Sequence, residues 1–197
     1  MTYTTLTEVK SYLGITSTDA TDDALLSDFI AKAEKMIETR CKRILYAPTD
    51  TTRYFDALRD VSDDFRTLYL DHDLCAITSV TNGDSTSVTS TQYATEPRNY
   101  KPWYALRLKD NASISWTYND SPENAITIVG RWAYAASVPE DIRGVATRLT
   151  AYLYRQKDNS SDSTADRPVM SPSGVVLLPT KLANDFYEVT APYIRVN

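Results

Sequence analysis

The chain has 197 residues, 42 % of them hydrophobic and 24 % charged, an ordinary globular composition that excludes a disordered or collagen-like protein. Its 21 basic and 26 acidic side chains leave a net charge of −5, so a nucleic-acid groove working by phosphate neutralisation has no compositional support. No apolar run approaches the ~18 to 20 residues of a membrane-spanning helix, and residues 1–5 lack the basic start and apolar stretch of a signal peptide. The sequence thus predicts a soluble protein made in the cytoplasm, with no membrane partner.

Thr5 stands at the N-cap of a first helix, with Leu6, Val9 and Leu13 at helical spacing, Glu8 three residues after the cap, and Gly14 closing it as a C′ residue. After the polar connector Thr16 to Thr21, Asp22 and Asp23 supply a cap and first-turn negative charge for a longer helix, expected to run to about residue 43. Its stripe of Leu26, Phe29, Ile30, Ala33, Ile37, Cys41 and Ile44 keeps the 3.6-residue period, while Lys32, Glu34, Lys35 and Glu38 fall elsewhere on the cylinder.

Pro48 ends the helical signal. Residues 49–134 read as an inserted β region, with strands expected at 52–55, 67–70, 76–81, 104–108, 113–118 and 125–132 between turns rich in Asp, Asn and Ser. Helical periodicity returns with Pro139, Glu140 and Asp141 at a first turn and Ile142, Val145, Ala146, Leu149 and Leu153 along one stripe, ending near Lys157. Residues 158–174 have the composition of a mobile surface loop. Val175 to Leu178 then leads to a last helix with Leu182, Phe186 and Val189 inward, stopped by Pro192 ahead of a short tail, Tyr193 to Asn197.

The fold class expected is therefore α+β: a helical bundle from both chain ends (1–48 and 135–197) carrying an inserted small antiparallel β-sandwich or barrel (49–134). The excess acidity sits mainly in the insert, which holds 8 basic and 12 acidic residues.

Groups that could do chemistry are sparse. The single histidine, His72, lies between Asp71 and Asp73 and reads as a solvated turn at a strand end; five scattered glycines make no phosphate-cradling loop. Asp60, Asp63 and Asp64 lack the central Gly and terminal Glu of a calcium loop, and Cys41 and Cys75, at unrelated spacing, read as reduced core thiols. No catalytic residue, metal or cofactor is expected. The unusual inventory is aromatic, with 14 Tyr and 3 Trp. Trp103, Trp116 and Tyr118 could form a stacking platform for sugars or single-stranded bases; the plainer alternative is that they fill the core.

Three segments carry a resemblance. The opening pair Thr5-Leu6-Thr7-Glu8-Val9-Lys10-Ser11-Tyr12-Leu13-Gly14-Ile15 and Asp22 to Glu38 resembles the start of the head-tail connector (adaptor, head-completion) proteins of tailed bacteriophages. Ile128 to Tyr134 leading into Val138-Pro139-Glu140-Asp141-Ile142-Arg143 is similar to the strand-to-helix junction of longer members, and Ala191-Pro192-Tyr193-Ile194-Arg195 to their Pro-Tyr-Arg ending, with Ile194 interposed. The resemblance implies a non-enzymatic virion protein of the neck, assembled in the host cytoplasm. Copies would form a ring, typically of twelve, beneath the portal and present a platform to the next tail or stopper component. Double-stranded DNA would pass through the channel without specific binding.

On that reading Tyr193, Ile194, Arg195, Val196 and Asn197 are candidates for docking on the portal protein, Tyr193 as an aromatic anchor and Arg195 as a charged contact, against the alternative of a tail folded back on the core. Asp22 and Asp23 are candidate channel-lining acids that would repel DNA phosphates. The competing functions are another completion protein, such as a stopper or tail terminator, and a carbohydrate-binding or host-adhesion module using the tryptophans of the insert.

Overall fold

A computed structural model describes residues 2–156, 169–170, 176–177 and 180–195. The contacts divide the chain into two units, Met1–Lys42 with Val138–Asn197, and Arg43–Ser137.

In the helical unit, α1 (Leu6–Leu13) starts on a reciprocal capping box: the Thr5 hydroxyl accepts from the Glu8 amide, and the Glu8 carboxylate accepts from the Thr5 amide at 2.7 Å. Gly14, at φ 75°, closes it in the left-handed conformation that lets the amides of Gly14 and Ile15 reach back to the carbonyls of Ser11 and Lys10. α2 (Asp23–Cys41) buries Leu26, Ile30, Ala33, Ile37 and Cys41; it stops where Lys42 turns to φ 54°, so Ile44 is left exposed rather than continuing the stripe. α3 (Glu140–Gln156) buries Ile142, Val145, Ala146 and Leu149 and packs on α1, α2 and α4 (Thr180–Thr190). A 3-10 turn, Ala191–Tyr193, holds Pro192 and follows α4 directly.

The second unit consists of two three-stranded antiparallel sheets. One has the order β1 (Thr51–Phe55), β6 (Ile126–Arg131), β3 (Ala76–Thr81); the other has β2 (Thr67–Leu74), β5 (Trp103–Leu108), β4 (Tyr93–Glu96). Inward residues of both sheets, among them Phe55, Leu68, Leu70, Leu106, Ile126 and Ile128, form one core with Trp116 and Trp132. Gly130, in the central strand β6, has no room for a side chain, since a Cβ there would lie 2.3 Å from the Ala76 carbonyl oxygen.

Three expectations are corrected here. Residues 113–118 form no strand: Arg66 takes the carbonyls of Asp110, Ala112 and Ile114, and the buried Asn82 amide takes that of Ser115, so side chains satisfy groups that a ladder would otherwise pair. A strand at Tyr93–Glu96 was not expected, because its apolar content is too low to alternate. His72 lies inside β2 rather than in a turn beyond it. The β unit also begins earlier than the texture change at Pro48, because the amides of Tyr134 and Ala135 donate to the carbonyls of Ile44 and Leu45. Of the segment 158–174, only Val169–Met170 is described, paired with Val176–Leu177; the rest lies outside the described residues.

Candidate functional site

The chain's ends converge on the start of α3 and the end of α2. The Tyr193 hydroxyl donates to the Asp141 carboxylate, 2.9 Å from each oxygen, and the Arg195 amide donates to the Cys41 carbonyl at 2.9 Å. The α-helix α4 ends at Thr190, and Pro192, which has no amide hydrogen to donate, sits in the 3-10 turn that follows. Tyr193, Ile194 and Arg195 are each half-buried, so the first part of the tail lies against the helical unit, while Val196 and Asn197 lie outside the described residues.

Asp22 and Asp23 open α2 beside Lys10, a lysine only 4 % exposed. Its ammonium sits 2.5 Å from Asp23 Oδ1 and 3.5 Å from the Ser17 carbonyl, while the Tyr154 hydroxyl donates to Asp22 Oδ2 at 2.5 Å. Both acids thus have partners inside the helical unit. A small pocket of about 80 Å³ adjoins them, with Asp19 at its edge, whose carboxyl is held below its ordinary range by the Thr21 hydroxyl and amide. The signal for Lys10 was present in the spacing: positions 6, 9, 10 and 13 share one face of α1, and the cation on that face requires a carboxylate to accompany it.

Of the candidate aromatic platform, Trp116 is corrected to a core residue. Trp116 is 1 % exposed, with its indole N–H donating to the Arg66 carbonyl at 3.2 Å. Trp103, on β5, is packed against the same core beneath the Lys101 ammonium, 4.9 Å from its ring centre, while Tyr118 is exposed and its backbone bridges to Gly83. Asn82 and Arg66 tie the segment of Trp116 inward through the backbone of residues 114, 115 and 117, which takes Trp116 away from any solvent-facing platform.

His72 belongs to an ion-paired margin between the two sheets. Arg53 on β1 reaches Asp71 Oδ2 and His72 Nδ1, both at 2.7 Å, and stacks over Trp132 at 5.1 Å. Behind it Arg43 meets Asp73 at 3.3 Å, both side chains under 15 % exposed, with the Arg43 guanidinium over the Tyr134 ring at 5.4 Å. The Arg53 contacts tie β1 of one sheet to β2 of the other. Among the described residues no group of His, Cys, Asp and Glu is arranged to hold a metal, and no helix is long and apolar enough to cross a membrane. Cys75 is a buried thiol whose ionisation is pushed up by that burial.

Residues 3–73, about a third of the chain, match the model of the Phage gp6-like head-tail connector protein family. The match covers α1, α2, β1 and almost all of β2. Among solved structures, the chain is similar to one in the neck of an empty gene transfer agent (GTA) particle computed with C6 symmetry, with a TM-score of 0.56 and 14 % identity over 98 % of this chain and 89 % of that one. A chain in the virion of the native gene transfer agent particle gives 0.56 and 16 % over the same shares. A third, in the neck of the native GTA particle computed with C12 symmetry, gives 0.54 and 15 % over 98 % and 88 %. No curated protein matches.

Proposed function

We propose that this phage-type head-tail connector protein, a structural and non-enzymatic component of the virion neck, works as a ring-forming adaptor that joins the DNA-filled head to the tail. The observation that carries this is the correspondence of almost the whole chain, both units included, with chains from particle necks. Twelve copies beneath the portal fit the symmetries of those necks, since a ring of twelve has both sixfold and twelvefold axes. The partners on this reading are the portal above, a stopper or other tail-side component below, and neighbouring copies to either side. DNA passes through without sequence-specific contact, as the acidic charge balance favours.

The tail, Tyr193 to Asn197, is the portal-facing element in this proposal. Since the Tyr193 side chain and the Arg195 backbone are held on the helical unit, docking proceeds by exchange: the Tyr193–Asp141 and Arg195 amide–Cys41 bonds open, and the tail swings out to bring its aromatic and guanidinium groups to the portal. For the channel, Lys10 neutralises Asp23 at close range, so of the two candidate acids Asp22 is the one that contributes charge.

Negative-stain microscopy of lysates from a phage lacking this gene tests the function. The expected result is packaged heads and finished tails lying unjoined, with joining restored by the purified full chain. Complete particles that fail only to adsorb would overturn it. A chain truncated after Ala191 tests the tail, and normal incorporation of that variant into necks would remove the tail from the portal contact.

A further inference from the structure

α2 has a second stripe that the helical core does not use. Lys32, Lys35, Met36 and Arg40 recur at three- and four-residue spacing, and Met36 is 45 % exposed in the middle of them. Across from this stripe α4 places Phe186 and Tyr187, and α3 places Leu153, so that a groove of about 580 Å³ opens with an almost wholly apolar floor. Its rim is cationic. The Lys32 ammonium rests 4.9 Å from the Phe29 ring centre, and the Arg40 guanidinium 5.1 Å from that of Tyr187. Lys35 is 78 % exposed and meets Glu38 only at 3.8 Å. Asp185, the nearby acid on α4, is taken by Arg148 at 2.6 Å.

The chain also carries the complement of this groove. The β1–β2 connection, residues 56–66, exposes two large apolar side chains, Leu58 at 54 % and Phe65 at 42 %, the latter held out by a backbone at φ 55°. Around them stand Asp56, Asp60, Asp63 and Asp64. Arg59 pairs with the first two, and Arg66 turns inward to the carbonyls of Asp110, Ala112 and Ile114, which leaves Asp63 and Asp64 beside Phe65 with no ion pair among the described residues, the Arg107 charge acting on Asp64 from further away. The Ser62 hydroxyl and the Arg66 amide hold the Asp64 carboxyl below its ordinary range, so it stays ionised.

We infer that the acidic, apolar-tipped loop 56–66 of one copy docks in the cationic, apolar-floored groove between α2 and α4 of the next. The two surfaces differ, so the contact is head-to-tail and repeats around a closed ring, and it rests on the ring proposed above. Leu58 and Phe65 bury against Met36, Leu153 and Phe186, while Asp63 and Asp64 approach Lys32 and Lys35. The apolar contact supplies affinity and the charges fix the register. Methionine at the groove's centre suits a floor that must adapt to its occupant.

Charge exchange in the full chain tests this, read by sedimentation of the purified protein and by its incorporation into necks. Lys32→Glu with Lys35→Glu, or Asp63→Lys with Asp64→Lys, should each weaken self-association about tenfold or more, with the circular dichroism of the folded chain unchanged; only the second pair should also lower the unfolding temperature, by the loss of the bonds that Asp64 accepts from Ser62 and Arg66. Combining the four substitutions in one chain should restore association to within about threefold, since the charges have only changed sides. Unaltered rings in either paired variant, or a fourfold variant no better than the paired ones, would overturn the contact. A photoreactive benzoyl-phenylalanine at position 36 should cross-link to residues 56–66 of another copy. Cross-links to a different protein, or to another part of the neighbour within intact rings, would overturn the contact while leaving the ring reading in place. A wild-type chain that is monomeric both alone and on isolated necks would overturn the ring as well.

Discussion

The two units are stabilised in different ways. The β unit is one continuous stretch of chain around a core of large side chains, with Trp116, Leu68, Leu106, Leu108, Ile126 and Ile128 all at 1 % exposure or less. The helical unit brings together two stretches separated by the whole β unit, and polar side chains take part in the joining: Thr4 to Thr147, Glu8 to Arg143, Asp22 to Tyr154. A core of that kind is rigid and non-directional in its loss of water, whereas polar bridges break one at a time. If the proposed docking of the tail involves exchange of contacts, the helical unit, with its separable polar bridges, is the unit that can supply it.

The comparison breaks most sharply at Trp116. Trp116→Ala removes the largest fully buried side chain and leaves the Arg66 carbonyl without the indole N–H, so the β unit should lose about 3 to 5 kcal/mol in chemical denaturation. A loss under 1 kcal/mol would mean that the two sheets do not depend on a common core. The helical counterpart is Asp23→Ala, which leaves the Lys10 ammonium with the Ser17 carbonyl and the more distant Asp19 charge and should cost about 2 to 3 kcal/mol. Adding Lys10→Met should recover most of that loss, because the pair is expensive to break but not to replace by an apolar side chain. If the double variant is as unstable as the single one, Lys10 serves something other than its carboxylate.

How much of this was legible in the sequence differs between the units for the same physical reason. Helical stripes and caps are local, and Thr5, Glu8, Gly14 and the buried faces of α2 and α3 follow from residues three and four apart. Strands at 67–70, 76–81 and 104–108 are legible from their apolar content, the first falling short of the observed 67–74, but their partners are not: β6 lies between β1 and β3, and nothing in local pattern specifies that order. The segment 113–118 reads as a strand by composition, yet one Asn and one Arg distant in sequence capture its carbonyls. The candidate tail and acids were found by their position near caps and stops. Their partners, Asp141, Cys41, Lys10 and Tyr154, come from elsewhere in the chain and are visible only once it is folded.

Tyr193→Phe sharpens the idea that the helical unit rearranges. The substitution keeps the ring and removes the hydroxyl that spans both Asp141 oxygens, at a cost of about 1 kcal/mol to the docked tail. If the tail must leave the helical unit to reach the portal, the same change should tighten portal binding by up to about fivefold, measured with assembled portal rings and the full chain. Weaker binding would instead make the hydroxyl itself a portal contact.

The smallest effect expected is a difference in acid response within the helical unit. The Thr5 amide, then the hydroxyls of Thr5 and Thr4 and the charge of Arg143, hold the Glu8 carboxyl below its ordinary value, against a smaller opposing effect of burial. A carboxyl depressed by folding stabilises the fold above its unfolded value, and that contribution is lost as pH falls through the folded one. Glu34 has the opposite sign: burial raises its carboxyl despite the Tyr3 amide that it accepts, so its ionisation works against the fold as pH rises above the ordinary glutamate value. The two effects lie on opposite sides of that value, Glu8 acting below it and Glu34 above it. Within a range of about pH 3 to 6, Glu8→Gln should therefore flatten the loss of stability on acidification, while Glu34→Gln should remove the loss on raising the pH above the ordinary glutamate value. Thermal melts across that range distinguish them, and identical profiles for the two variants would show that α1 is not held through its capping box.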